Sequence, residues 1–169
     1  MKEISFRDDI LPLKDKLFRL ALRITLDRAD AEDVVQESLI KMWNLRDEWQ
    51  AMESIEAYAL TICRNQALDL QAKASRKNMV LDESRDEQPS ERSPYEELDA
   101  RQRLEIVRRL IDGLPETQRS IMELRDVEGK TYKEISEILR ISEERVKVYL
   151  FRARQKVKTQ FSKIEGYGL

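Results

Sequence analysis

"TYKEISEILRISEERVKVYLFRARQKVK", Thr131 to Lys158, is the stretch on which the fold turns. It reads as two helices joined by a tight turn. The first spans about Tyr132 to Leu139, with Ile135, Ile138 and Leu139 facing inward. Ile141 is the apolar residue of the turn, and Ser142 is placed to cap the next helix. Along that helix Val146, Leu150, Ala153, Val157 and Phe161 repeat with the helical period and form a stripe suited to burial. Lys147, Phe151, Arg154 and Lys158 fall on a different face, and Arg145 and Arg152 spread positive charge around it. Such a helix, held by a shorter one, fits the major groove of duplex DNA. Lys and Arg neutralise phosphates or read guanine edges, and an apolar side chain can touch a thymine methyl. The competing reading is a solvated basic helix with Phe151 at the edge of a core. The correctly spaced helix and turn in front of it weigh against that.

The positive charge is local. The 169-residue chain has 31 Lys and Arg against 33 Asp and Glu, a formal net charge of -2. A uniformly basic nucleic-acid binder is excluded, whereas a basic patch is not. Aromatic content of 7% and few Gly and Pro favour helices over a β-sandwich or barrel. The length suits one domain or two small ones. Cys63 is the lone cysteine, so no internal disulfide can form and a reducing compartment fits. The opening "MKEISFRDDI" lacks the apolar segment of a signal peptide, and no stretch is long and apolar enough to span a bilayer. The expectation is a soluble, cytoplasmic, all-α protein. The chain has no histidine, which removes the commonest general base and metal ligand. One cysteine cannot build a zinc site, and the four glycines form no phosphate-cradling loop. No catalytic residue, metal or cofactor is expected.

Upstream, Ile10, Leu13, Leu17, Leu20 and Ile24 mark an amphipathic helix. "DAEDVVQESLIKMW" starts a second, with Asp30 as its expected cap and acids suited to the dipole of its first turn. "NLRDEWQAME" reads as a loop, and "SIEAYALTICRNQALDLQAKASRK" as a third helix capped at Ser54. Between Asp82 and Asp99 the composition changes to eight acids, two bases, two prolines and almost no large apolar residues, which is linker composition. The expected organisation is a first unit at 1–78, a flexible acidic linker at 79–97 and a second unit at 98–165. In the second, a helix starts after Leu114–Pro115 and ends before Gly129.

Three of these stretches, in this order, resemble the extracytoplasmic-function (ECF) sigma factors, the compact group of the sigma-70 family of bacterial transcription initiation subunits. "DAEDVVQESLIKMW" is similar to the core-binding helix of region two, and "AYALTICRNQALDLQAKASRK" to the helix that melts the promoter and reads the minus-ten element. "LPETQRSIMELRDVEGKTYKEISEILRISEERVKVYLFRARQKVK" resembles region four, which reads the minus-thirty-five element. The resemblance implies a region-two-like domain of three or four helices and a region-four-like helix-turn-helix domain. It implies that Asp30, Glu32, Asp33, Gln36, Glu37 and Leu39 meet the β′ clamp helices of core RNA polymerase, with the β flap as a further contact. Arg64, Asn65, Lys73, Arg76 and Lys77 are the implied minus-ten residues, with the segment around Trp49 to Ser54 holding unpaired bases. Arg145, Lys147, Val148, Phe151 and Arg152 are the implied minus-thirty-five residues, and Arg154 and Lys158 the implied backbone contacts. An anti-sigma factor is a further candidate partner, since many relatives are held by one. Tyr58 and Cys63 are expected in the core.

Three departures stand out. The turn of the helix-turn-helix has Arg140 where the family has glycine, at a cost of about 1 kcal/mol if that residue needs positive φ. Ser136 replaces the usual alanine, and Glu143 and Glu144 open the recognition helix with charge that repels phosphate. The rival functions are a dimeric helix-turn-helix repressor or activator that binds duplex DNA unaided, and a helical adaptor with no DNA role. The reading adopted is a non-enzymatic sigma factor. Its second unit docks duplex, its first captures melted DNA, and the acidic linker lies along the polymerase's basic RNA-exit path.

Overall fold

The computed structural model describes residues 3–78 and 99–166, without the side chains of 76–78 and 166. The expected linker at 79–97 lies outside the described residues. Seven α-helices account for most of what is described: α1 (Lys14–Thr25), α2 (Arg28–Asn44), α3 (Ile55–Asn78), α4 (Ala100–Asp112), α5 (Glu116–Met122), α6 (Tyr132–Leu139) and α7 (Glu143–Gly166).

The first three helices pack on one another. α1 is entered through a π-turn (Phe6–Ile10) and a 3-10 turn (Leu11–Leu13) carrying Pro12. The stripe expected from Ile10 to Ile24 is therefore one buried face spread over three short elements. Ile10, Leu17, Leu20 and Ile24 are all buried, and Leu13 packs beside them half-buried. α1 ends at Leu26, whose φ of 57° is the left-handed C-cap geometry that usually takes glycine. Asp27, not Asp30, caps α2: its carboxylate accepts from the Asp30 N–H at 2.9 Å. Asp30 is thus already inside the first turn, because Asp27 sits in extended backbone just ahead of the helix. The segment expected as a loop contains a 3-10 turn, Arg46–Ala51. Buried Trp49 shapes it by donating from Nε1 to the Met42 carbonyl at 2.9 Å. Ser54 caps α3 as expected, its hydroxyl accepting from the Ala57 N–H at 3.1 Å. Cys63 is fully buried, with its Sγ 3.3 Å from the Leu17 carbonyl, and burial pushes its thiol up to about 12.

In the second unit α7 packs against α4, α5 and α6. α4 opens with a reciprocal capping box between Asp99 and Gln102, a helix the sequence reading does not single out. Its apolar residues Val107, Leu110 and Ile111 are half-buried. α5 begins after Pro115 and runs into a π-turn (Glu123–Val127). Gly129, at φ 69°, reverses the chain before α6. Thr131 and Glu134 form the capping box of α6. The interior is Ile121, Leu124, Ile135, Ile138, Val146, Leu150, Ala153 and Val157, which fulfils the periodicity of both helices in the opening stretch except that Phe161 is only half-buried.

The turn between α6 and α7 does not relax to spare Arg140. That residue holds φ 56°, ψ 45°. Its N–H bonds the Ser136 carbonyl, as does that of Ile141 at 3.2 Å. The Ser136 hydroxyl in turn donates to the Ile141 carbonyl at 2.5 Å. A serine at this tight contact is thus a tie across the turn, one that alanine cannot make.

Candidate nucleic-acid interface

α7 presents two distinct faces. Its buried stripe fixes its roll on α4, α5 and α6, and that roll leaves Arg145, Lys147, Val148, Phe151, Arg152, Arg154 and Lys158 exposed. Phe151 is 64% exposed, so it is not at a core edge. An aromatic and a valine held in water between cations have no packing role within the chain. The N-terminus of α7 is capped by Ser142, whose hydroxyl accepts from the Arg145 N–H at 3.2 Å. Two of the cations are held from within the second unit. The Lys147 ammonium lies 5.4 Å from the Tyr132 ring centroid, and the Arg125 guanidinium lies 4.4 Å from the same centroid. Arg154 pairs with Asp126, a bond that raises its already high pKa further. It therefore meets a phosphate only in competition with that carboxylate.

On α2 the residues Ala31, Val34, Val35, Ser38 and Met42 are buried. Glu32, Asp33, Gln36 and Glu37 are exposed, whereas Asp30 and Leu39 are half-buried, Leu39 against the core. The exposed apolar residues of this face are Ile40 (53%) and Trp43 (46%). Sequence reasoning missed both. Their signal is that they fall off the buried stripe, in line with Asp33, Gln36 and Glu37. Trp43 is braced by Phe6 (ring centroids 5.6 Å, edge-on) and Trp49 (6.2 Å), and Arg46 lies 4.6 Å from its centroid.

On α3 the implied minus-ten residues part company. Asn65 and Lys73 are exposed. Arg64 is largely covered and gives Nη2 to Glu116 of α5 at 3.0 Å, while its Nε is buried without a partner. The side chains of Arg76 and Lys77 lie outside the described residues. Trp49 is buried and offers no stacking surface, but Gln50, Ala51, Glu53 and Ser54 are exposed. Tyr58, expected in the core, is 41% exposed. It lines a groove of about 630 Å³ between Met52–Ser54 and α3 on one side and Lys133, Glu134, Glu137 and Ile138 of α6 on the other.

Among the described residues no group of acids and Cys63 is arranged to hold a metal ion, and no helix is long and apolar enough to cross a membrane.

Comparison with known proteins matches residues 10–77 to sigma-70 region 2 and residues 104–157 to sigma-70 region 4. The chain is 30% identical over 151 residues to the ECF RNA polymerase sigma factor SigE of Mycolicibacterium smegmatis, covering 88% of this chain and 58% of SigE. It is 32% identical over 132 residues to the ECF RNA polymerase sigma factor SigL of Mycobacterium tuberculosis (strain H37Rv), covering 78% of this chain and 74% of SigL. It is 26% identical to the ECF RNA polymerase sigma factor SigM of Bacillus subtilis, covering 87% and 89%. Its fold superposes on the sigma factor RpoE from Bartonella quintana, solved with the anti-sigma factor NepR, with a TM-score of 0.76, 23% identity and coverage of 95% and 98%. The ordered pair of region matches, the SigL identity and the two helical units agree, and the chain belongs to the ECF sigma factors of the sigma-70 family.

Proposed function

We propose that this chain directs promoter-specific initiation by bacterial core RNA polymerase, with the labour divided between its two units. Sigma factors partner with core polymerase and promoter DNA, and they regulate transcription rather than catalyse a reaction. The observation that carries the reading is the exposed face of α7, where Val148 and Phe151 stand among cations on a helix whose opposite face is fully engaged. In the proposed mechanism, residues 98–165 dock the minus-thirty-five duplex through Arg145, Lys147, Val148, Phe151 and Arg152. Arg154 and Lys158 hold phosphates.

Residues 1–78 bind polymerase through α2. Acid and amide groups at Glu32, Asp33, Gln36 and Glu37 flank the exposed Ile40 and Trp43, a combination suited to a basic, amphipathic partner helix. Asn65, Arg64, Lys73, Arg76 and Lys77, with the segment before α3, take the melted minus-ten strand. The linker at 79–97 joins two weak DNA contacts into one selective one. The polymerase performs the chemistry, and the setting is the bacterial cytoplasm. An anti-sigma partner fits this fold.

The test is a pair of substitutions in the docking helix, Lys147→Ala with Arg152→Ala. Promoter-specific transcription is expected to collapse while binding to core polymerase survives. Unchanged transcription contradicts the assignment of α7.

A further inference from the structure

Glu143 and Glu144, the acids that open α7, have no part in docking through cations, since they repel phosphate. Both suit the positive end of the helix dipole, and that role alone would make them interchangeable. The roll of α7 separates them. At 3.6 residues per turn Glu144, Val148 and Phe151 fall in one line, about half a turn from the buried Val146, Leu150 and Ala153. Glu143 falls about a quarter turn off that line, on the side of Lys147 and Arg154. Glu144 therefore stands at the middle of the outward face, ahead of Val148 (45% exposed) and Phe151 (64% exposed).

Neither carboxylate is neutralised from within the chain. Side chains three and four residues apart meet on a helix. The cation at that spacing from both acids is Lys147, and its ammonium lies over the Tyr132 ring instead, 5.4 Å from the centroid. Four residues past Glu144 stands Val148, which carries no charge. The start of α7 is already capped by Ser142, so Glu144 is not spent on a cap. Among the described residues no hydrogen bond or ion pair reaches either carboxylate.

An ionised carboxylate only accepts hydrogen bonds. In the major groove cytosine offers an amino donor, and adenine offers one beside the N7 acceptor. Guanine and thymine present acceptors at the corresponding edge. A carboxylate set against guanine or thymine would be left among phosphates without a donor, so selection comes from rejection as much as from attraction. The cations around it, Arg145, Lys147 and Arg152, supply the attraction that carries an acid to the duplex at all.

We propose that Glu144 is a specificity-determining residue of the docking helix, reading one C·G pair of the minus-thirty-five element by accepting from the cytosine amino group. The proposal rests on the reading of α7 as the helix that docks this element.

The test uses the full chain bound to sigma-free core polymerase. A promoter located by run-off transcription on host DNA is prepared with its upstream element randomised, and the duplexes that the holoenzyme retains are sequenced. The wild type should enrich a C·G pair at one position by about tenfold over the other pairs. Glu144→Ala should leave that position degenerate and the rest of the motif intact. Glu144→Gln should convert it to A·T, because a glutamine amide matches the adjoining donor and acceptor of adenine. Glu143→Gln should tighten binding to all duplexes alike and keep the wild-type motif. All three substitutions fall at exposed positions, so helical circular dichroism should be unchanged. A motif that both Glu144 variants leave intact overturns the proposal, as does the same change of motif in Glu143→Gln. If the chain supports no start site, the sigma reading falls, and the same variants are scored on duplexes selected by the chain alone. There the exchange of C·G for A·T supports the reading by Glu144, and an unchanged motif or no selected motif overturns it.

Discussion

The Ser136 hydroxyl donates to the Ile141 carbonyl at 2.5 Å, across a turn whose apex, Arg140, sits in the left-handed region at φ 56°. The tie and the strained residue belong together. Ser136 is half-buried, so a hydroxyl that finds a partner there stabilises the helix-turn-helix by about 1 kcal/mol. Ser136→Ala is expected to lower stability by that amount in urea unfolding, with binding to minus-thirty-five duplex falling in parallel because α7 loses its fixed angle to α6.

Arg140→Gly should act in the opposite direction. The arginine is exposed, and a β-carbon in left-handed backbone costs about 1–2 kcal/mol that glycine does not incur. The gain is reduced by the greater freedom of glycine in the unfolded chain. A net stabilisation of roughly 0.5–1 kcal/mol is expected in the same unfolding measurement.

Ile40→Glu tests the polymerase face of α2. The residue is more than half exposed, so folding should be unchanged within about 0.5 kcal/mol. Co-purification with core polymerase is expected to drop at least tenfold. Leu39→Ala should instead destabilise the first unit, because Leu39 packs against the core.

Glu56 gives an acid-dependent signature. Burial pushes its carboxyl up, but hydrogen bonds from Lys130 and Lys16 more than offset this and leave its pKa below the ordinary carboxylate value. A carboxyl whose pKa is lower when folded adds stability that is present above its unfolded pKa, near 4.3. That stability is lost as pH falls through the lower folded value. Glu123 runs counter to it. Burial pushes its carboxyl up, against the pull of Arg23 and Arg19, so its ionised form opposes folding at neutral pH and that penalty fades on acidification. Glu56→Gln should therefore flatten the acid limb of the stability profile below about pH 4.3, while Glu123→Gln should remove a loss of stability that sets in as pH rises above that value.

The α6–turn–α7 unit was legible because its apolar residues obey one period and Ser142, which caps α7, is a usual cap residue; the Thr131 cap of α6 is an equally local signal that the reading left unused. Ser54 and the buried Cys63 were legible for similar local reasons. Three features were not. Asp27 displaced Asp30 as the cap because two acids three residues apart both suit the position, and only backbone geometry separates them. Ile40 and Trp43 escaped notice because α2 is apolar on more than its buried side, so periodicity cannot tell a core stripe from a docking stripe. The pairing of Arg64 with Glu116 joins residues 52 apart in the chain and depends on how the two units close, which no local pattern encodes.

The central claim, that this chain confers promoter specificity on core polymerase, is met most directly by run-off transcription. Purified chain is added to sigma-free bacterial core polymerase with a pool of genomic fragments from its own host as template. The account predicts discrete start sites that require the chain and vanish with Lys147→Ala and Arg152→Ala. No chain-dependent start sites, together with tight binding to duplex DNA by the chain alone, would contradict it and point to a helix-turn-helix regulator that acts without polymerase.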